Sequence, residues 1–227
     1  MTIDAINFQF LRDLKNNNNR EWFAENKLNY EQHQAKLVSF AEKMMDCLSE
    51  HDKIEYKSGK KSVIRVYRDI RFSKDKSPYK TYSGMGFRRS SQLLRGGYYL
   101  HIEPGNSFVG GGFWEPNKED LLKIRKGIEF DESEFRKIIT SDEFVSVFGK
   151  LKGNQLKTCP KGFSKDSTAI DLLRYKQYVL TKEFSDDEVT SDTFFDEVDQ
   201  VFRAMRPFLD FMSYILTTDE NGVPLFE

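Results

Sequence analysis

Short aromatic and β-branched runs, broken by Gly and Pro, fill the middle of this chain, and apolar stripes of helical period flank them on both sides. That order constrains the fold more than any other feature. Strands are expected at Ser62 to Phe72, Thr81 to Arg89, Gly97 to Glu103 and Ser107 to Trp114. Pro104-Gly105-Asn106 marks a hairpin turn between the last two. Upstream, Asp4 is placed to cap a short helix carrying Ile6, Phe10, Leu11 and Leu14. Asn16 to Asn19 break it, since Asn competes with the backbone and tolerates turns. Leu37, Phe40, Ala41, Met44 and Leu48 recur at three and four, one apolar stripe of a second helix, with Trp22 and Phe23 near its start.

Helical period returns after Pro116, through Leu121 to Ile128, Glu134 to Ile139 and Glu143 to Phe148. A Gly- and Pro-marked loop covers Gly153 to Thr168, followed by apolar Ile170, Leu172, Leu173 and Tyr175. A last helix starts near Thr193, with a kink expected at Pro207. The fold class is therefore α+β, a central antiparallel β meander packed against N- and C-terminal helices. The 227 residues read as a single domain, helical over 1–52, β-rich and basic over 60–115, and helical over 117–217.

Charge is concentrated. Lys57 to Arg95 hold twelve Lys/Arg against two Asp/Glu, leaving twenty-three bases against thirty-four acids elsewhere. Glu183 to Asp199 hold eight acids and no base. A basic segment in an acidic chain is a candidate anion surface, or else the half of an internal pairing that neutralises both. No apolar stretch of about 18 residues is present, so no membrane span is expected. Met1 to Asn19 lack the apolar region of a signal peptide. Cys47 and Cys159 form no paired motif, which fits a reducing cytoplasm and offers no zinc site. HExxH, Walker A, GxGxxG and GxSxG patterns are missing, so neither metal nor cofactor is expected.

The first expected strand carries the chemistry. With a two-residue period, Ile64, Val66, Arg68, Ile70 and Phe72 share the core face, and Val63, Arg65, Tyr67, Asp69 and Arg71 share the other. Guanidinium forks suit phosphate and carboxylate oxygens. A solvated face with cross-strand salt bridges is the plainer alternative. The following turn adds Lys74, Lys76 and Lys80 around Pro78, ordinary residents of an exposed turn and equally a grip for an anion. Arg65, Tyr67, Arg68, Arg71, Lys74, Lys76 and Lys80 are the candidate ligand-binding residues. If Leu100 and Ile102 face the core, His101 faces the polar side, and His101 and Asp69 are the candidate proton carriers. His33 and His51 show no partner spacing. Gly110-Gly111-Gly112 inside a strand calls for a close backbone or ligand approach, or a bulge.

The run from Arg65 to Lys80, RVYRDIRFSKDKSPYK, resembles the hallmark of a widespread family, domain of unknown function 2461. Arg20-Glu21-Trp22-Phe23, Gly97 to His101, Phe108 to Gly112, Pro160 to Phe163, and Asp171 to Arg174 with Lys176 extend the resemblance over nearly the whole chain. Asp166-Ser167-Thr168 departs from it, since relatives are expected to carry His-Pro after the Asp. The resemblance implies no reaction.

Binding of an anionic or phosphorylated small molecule by the basic strand and loop is the reading favoured by these residues, with turnover left open. A nucleic-acid-binding module is the first alternative, opposed by a pI near 6.4. A protein-interaction scaffold without catalysis, its basic strand docked on an acidic stretch, is the second.

Overall fold

The computed structural model describes residues 3–219 and 221–225. It is α+β, with a sheet of four antiparallel strands in meander order and ten helices among the described residues. The N-terminal helices are α1 (Ala5–Asn16), α2 (Arg20–Glu25), α3 (Lys27–Ser49) and the single turn α4 (Gly59–Ser62). Strands β1 (Ser83–Arg88), β2 (Gly97–Ile102) and β3 (Ser107–Phe113) follow. Helices α5 (Lys118–Phe130), α6 (Glu132–Ile139), α7 (Asp142–Phe148) and α8 (Ile170–Leu173) intervene before β4 (Tyr178–Phe184), which joins the sheet beside β3. Helices α9 (Asp186–Thr190) and α10 (Phe194–Thr217) complete the order, and α10 continues through Pro207 as one element.

The chain divides into two compact units, one of residues 1–87, 99–109 and 183–200, the other of 88–98, 110–182 and 201–227. In the first, the expected cap of α1 is a reciprocal box: the Asp4 carboxylate accepts the Ile6 and Asn7 N–H groups, and Asn7 Oδ1 accepts the Asp4 N–H. Leu37, Phe40, Ala41, Met44 and Leu48 are buried, as their spacing predicts, and Phe40 meets Phe194 and Phe195. In the second, Tyr98 packs on Phe202, and Phe135 on Phe208 and Phe211. Each such ring contributes about 1.5–3 kcal/mol by leaving water. The glycine run serves packing here. Gly112 has φ +104°, and a Cβ on it would stand 2.3 Å from the Tyr178 carbonyl oxygen, so β3 and β4 approach as only glycine allows.

Two strand expectations are corrected. Ser62 to Phe72 is not a strand; it makes only the isolated bridges Val63 to Met85 and Tyr67 to Tyr79. Its expected core face fails accordingly. Val63 and Val66 are buried, three apart, while Ile64 is 38% exposed and Phe72 95% exposed. The fourth strand is β4, whose Tyr-Val-Leu start gives way to Thr181, Lys182 and Glu183, so no two-residue alternation marks it. Beyond β4, residues 152–156 pair with 174–179 and cover that edge.

A buried polar chain ties α1, α3 and β1 together. Asn7 Nδ2 lies 2.8 Å from His33 Nδ1, and His33 Nε2 lies 2.8 Å from Ser83 Oγ. Because Asn7 Oδ1 faces the Asp4 N–H, its amide nitrogen donates to Nδ1. His33 is therefore the neutral Nε2–H tautomer and donates to Ser83. Burial pushes its pKa down to about 4 from 6.5. The unfolded imidazole takes up its proton near pH 6.5 and the folded one only near 4, so stability is full above 6.5 and falls as pH drops through that window. Urea unfolding at pH 7 and pH 5 should show the wild type losing about 2 kcal/mol more than His33→Gln over this interval. An equal loss in both proteins would remove His33 from the acid response.

Candidate functional site

Residues 63–80 form an irregular hairpin in the first unit. The Arg68 N–H donates to the Pro78 carbonyl at 2.9 Å, and the Lys80 N–H to the Val66 carbonyl at 2.7 Å. Lys80 Nζ then donates to the carbonyls of Arg65 (2.6 Å) and Tyr67 (2.9 Å), and Lys76 Nζ to that of Ile70 (3.0 Å). The lysines thus satisfy three carbonyls that no neighbouring strand pairs.

The tip is braced by its own charges. Arg68 reaches Asp75 at 2.5 Å and the Ser77 carbonyl at 3.0 Å. Asp75 accepts the Ser77 N–H and hydroxyl, and these two bonds with Arg68 hold its carboxyl near a pKa of about 2. Arg71 forks onto Asp69 at 3.0 and 2.7 Å, and the guanidinium lowers the Asp69 pKa. Of the seven candidate binding residues, Arg68, Arg71, Lys76 and Lys80 thus shape the hairpin. Arg65 and Lys74 donate no hydrogen bond and form no ion pair among the described residues. Burial, and then the charges of Arg65 and Arg68, lower the Lys80 pKa, so three cations crowd one place.

An aromatic cluster, only part of it legible in the sequence, lies under the hairpin. Phe23 of α2 stacks on Tyr79 at 4.0 Å and 14°, and Tyr30 of α3 lies 5.0 Å from Phe23. Tyr67 is 5.6 Å from Tyr79. The hydroxyls of Tyr30, Tyr67 and Tyr79 have no hydrogen-bond partner among the described residues. Burial, and then Tyr67, raise the pKa of both Tyr30 and Tyr79, so these phenols stay protonated donors. Arg20 lies within electrostatic reach of Tyr79. Asn18, one of the four asparagines read only as a helix breaker, clamps Tyr79 like a strand. Its amide accepts the Tyr79 N–H at 3.1 Å and donates to the Tyr79 carbonyl at 3.0 Å.

His101 is buried on the face of β2 opposite Tyr98, Leu100 and Ile102, yet both ring nitrogens are engaged. Nδ1 meets the Tyr99 hydroxyl at 3.0 Å and Nε2 meets Glu103 at 3.2 Å. Phe108 stacks on the ring at 4.7 Å, and Tyr82 lies 4.4 Å away. Burial lowers the His101 pKa against the pull of Glu103, and burial raises Tyr99 to about 12. No hydrogen bond, ion pair or ring contact joins His101 to Arg65, Tyr67 or Asp69 among the described residues. His51, which shows no partner spacing in the sequence, lies 2.8 Å from Asp199, and His33 lies against Asn7 and Ser83. No group of three His, Cys, Asp or Glu side chains among the described residues is arranged to hold a metal.

Other members of the basic segment are spent on the fold of the second unit. Arg89, its side chain fully buried, reaches Ser213 and Asp210, and Arg95 reaches Asp120 at 2.7 Å. The family model of the conserved hypothetical protein DUF2461 matches residues 7–211. The chain belongs to the DUF2461 family. Comparisons with curated proteins and with solved structures returned no match. In this DUF2461 protein the hairpin lies inside the matched range, as does Asp171, which pairs with Arg136 at 2.7 Å. Thr168, in the stretch that departs from the expected His-Pro, donates to Glu132, and its carbonyl accepts Arg136. That stretch braces α6 and α8. No helix among the described residues is long and apolar enough to cross a membrane.

Asn18→Ala should cost about 1–3 kcal/mol in denaturant unfolding, because it strands both backbone groups of Tyr79. Asn16→Ala, which removes no such bond, should stay within about 0.5 kcal/mol. Equal effects would mean that Asn18 is not the clamp.

Proposed function

We propose that this protein binds a small anionic molecule, of the phosphorylated class, on the hairpin of residues 63–80. The observation that carries the proposal is Arg65, crowded by Lys80 and Arg68 and without an ion pair or hydrogen bond, while Asp69, the carboxylate within its electrostatic reach, is forked by Arg71. Like charges held together cost free energy that a bound anion returns. Lys74 offers a second free cation, and the Tyr30, Tyr67 and Tyr79 hydroxyls offer donors for oxygen acceptors. Arg68, Arg71, Lys76 and Lys80 hold the hairpin open in advance, which lowers the ordering cost of binding. Turnover has less support, because the His101 nitrogens are both engaged and Asp69 is forked by Arg71.

Single-stranded nucleic acid is the second reading, favoured by Phe72, 95% exposed, and Tyr67, 54% exposed, beside these cations. Thermal unfolding against inorganic phosphate, pyrophosphate, nucleotides, sugar phosphates and oligonucleotides separates the two. A small anion at 100 times its dissociation constant should add about 2.7 kcal/mol, a rise of several degrees. The rise should vanish in Arg65→Ala and shrink in Tyr67→Phe. A response to oligonucleotides alone, falling steeply with salt, supports the second reading. A flat response throughout overturns both.

A further inference from the structure

The buried ring of Phe23 gathers three tyrosines from separate stretches of the first unit. Tyr79 stacks on it, and Tyr30 and Tyr67 lie 5.0 and 6.3 Å from it. Tyr67 acts electrostatically on both Tyr30 and Tyr79, so the three hydroxyls share one place rather than pointing apart. Tyr79 is only 6% exposed, yet its hydroxyl is not sealed from the surface. No carbonyl or carboxylate among the described residues takes a proton from any of the three. Protonated donors that meet one another without an acceptor call for an acceptor-rich group from outside.

Arg20 brings charge to the same place. It lies between Asn18 and Phe23, which hold Tyr79 by two backbone bonds and by stacking, and it acts on the Tyr79 hydroxyl. It is exposed and forms no ion pair or hydrogen bond among the described residues. Glu21 reaches that hydroxyl less strongly than Arg20 does. Lys80, next to Tyr79 and bonded to the Tyr67 carbonyl, adds a cation on the hairpin side, so positive charge prevails.

We propose that Arg20 and the hydroxyls of Tyr30, Tyr67 and Tyr79 seat a terminal phosphoryl group, so that the ligand's head is a phosphoryl group and not a carboxylate. This rests on the hairpin reading above and adds to it Arg20 and the choice of a tetrahedral head. A terminal phosphoryl group turns three acceptor oxygens toward three donors. A carboxylate has two, in one plane, and leaves a hydroxyl unserved.

Isothermal titration of the full chain with glycerol 3-phosphate, sulfate and malonate, in mildly alkaline buffer, tests this. The first two carry tetrahedral heads and the third carries planar ones. One saturable site is expected for the tetrahedral anions, with malonate at least about tenfold weaker. Tyr30→Phe, Tyr79→Phe and Arg20→Gln should each weaken glycerol 3-phosphate by about tenfold. None of them removes a hydrogen bond or ion pair within the protein, so the melting temperature without ligand should stay within about 2 °C of the wild type. A larger fall would give these side chains a structural role and overturn the proposal. Binding that is lost in Arg65→Ala, yet equal for malonate or untouched by the other variants, overturns it and leaves the hairpin reading standing. No binding of any of the three anions to the wild type overturns both.

Discussion

Lys80 clamps the hairpin of residues 63–80 from within. Its ammonium takes the carbonyls of Arg65 and Tyr67, and beyond Ile64, whose N–H still donates to Gly84 of β1, the backbone pairs with its own return at Tyr67 and Tyr79. From that single clamp follow the irregular hairpin, the exposure of Arg65 and the crowding of three cations. The carboxylates of the hairpin are committed to its own arginines. Asp75 answers Arg68 and Asp69 answers Arg71, leaving Arg65 without an ion pair and with Asp69 only within electrostatic reach.

The clamp needs a firm base, and the first unit supplies one. Phe23 and Asn18 fix Tyr79 by stacking and by two backbone bonds. The Asn7–His33–Ser83 chain locks α1 and α3 to the start of β1. A polar chain in such a place specifies a unique arrangement because every member is satisfied. It also makes the base acid-sensitive, since a protonated His33 would turn a donor toward the Asn7 amide.

The order of helices and strands was legible because apolar period reports burial directly. Leu37 to Leu48 and the cap at Asp4 needed no tertiary knowledge. The segment 63–72 misled because alternation counts side-chain types, whereas its backbone is governed by Lys76 and Lys80 from further along the chain. β4 was missed because its three apolar residues Tyr178, Val179 and Leu180 are followed at once by Thr181, Lys182 and Glu183, a pattern without strand alternation. Among site residues, Arg65 and Lys74 stood out by charge, yet nothing in the sequence separates them from Arg68 and Arg71. Only the pairing with Asp75 and Asp69 does so. Asn18 and the Tyr30 hydroxyl were invisible, since their roles depend on long-range docking of the hairpin.

The central claim is that Arg65 is held free for an anion while Arg71 is not. Following the Arg Nε–H resonances of both residues during a pyrophosphate titration measures this directly. The account predicts that Arg65 shifts saturably at a one-to-one ratio while Arg71 stays on Asp69. Shifts of Arg65 and Arg71 that grow together, linearly and without saturation, would reflect general screening and would contradict it.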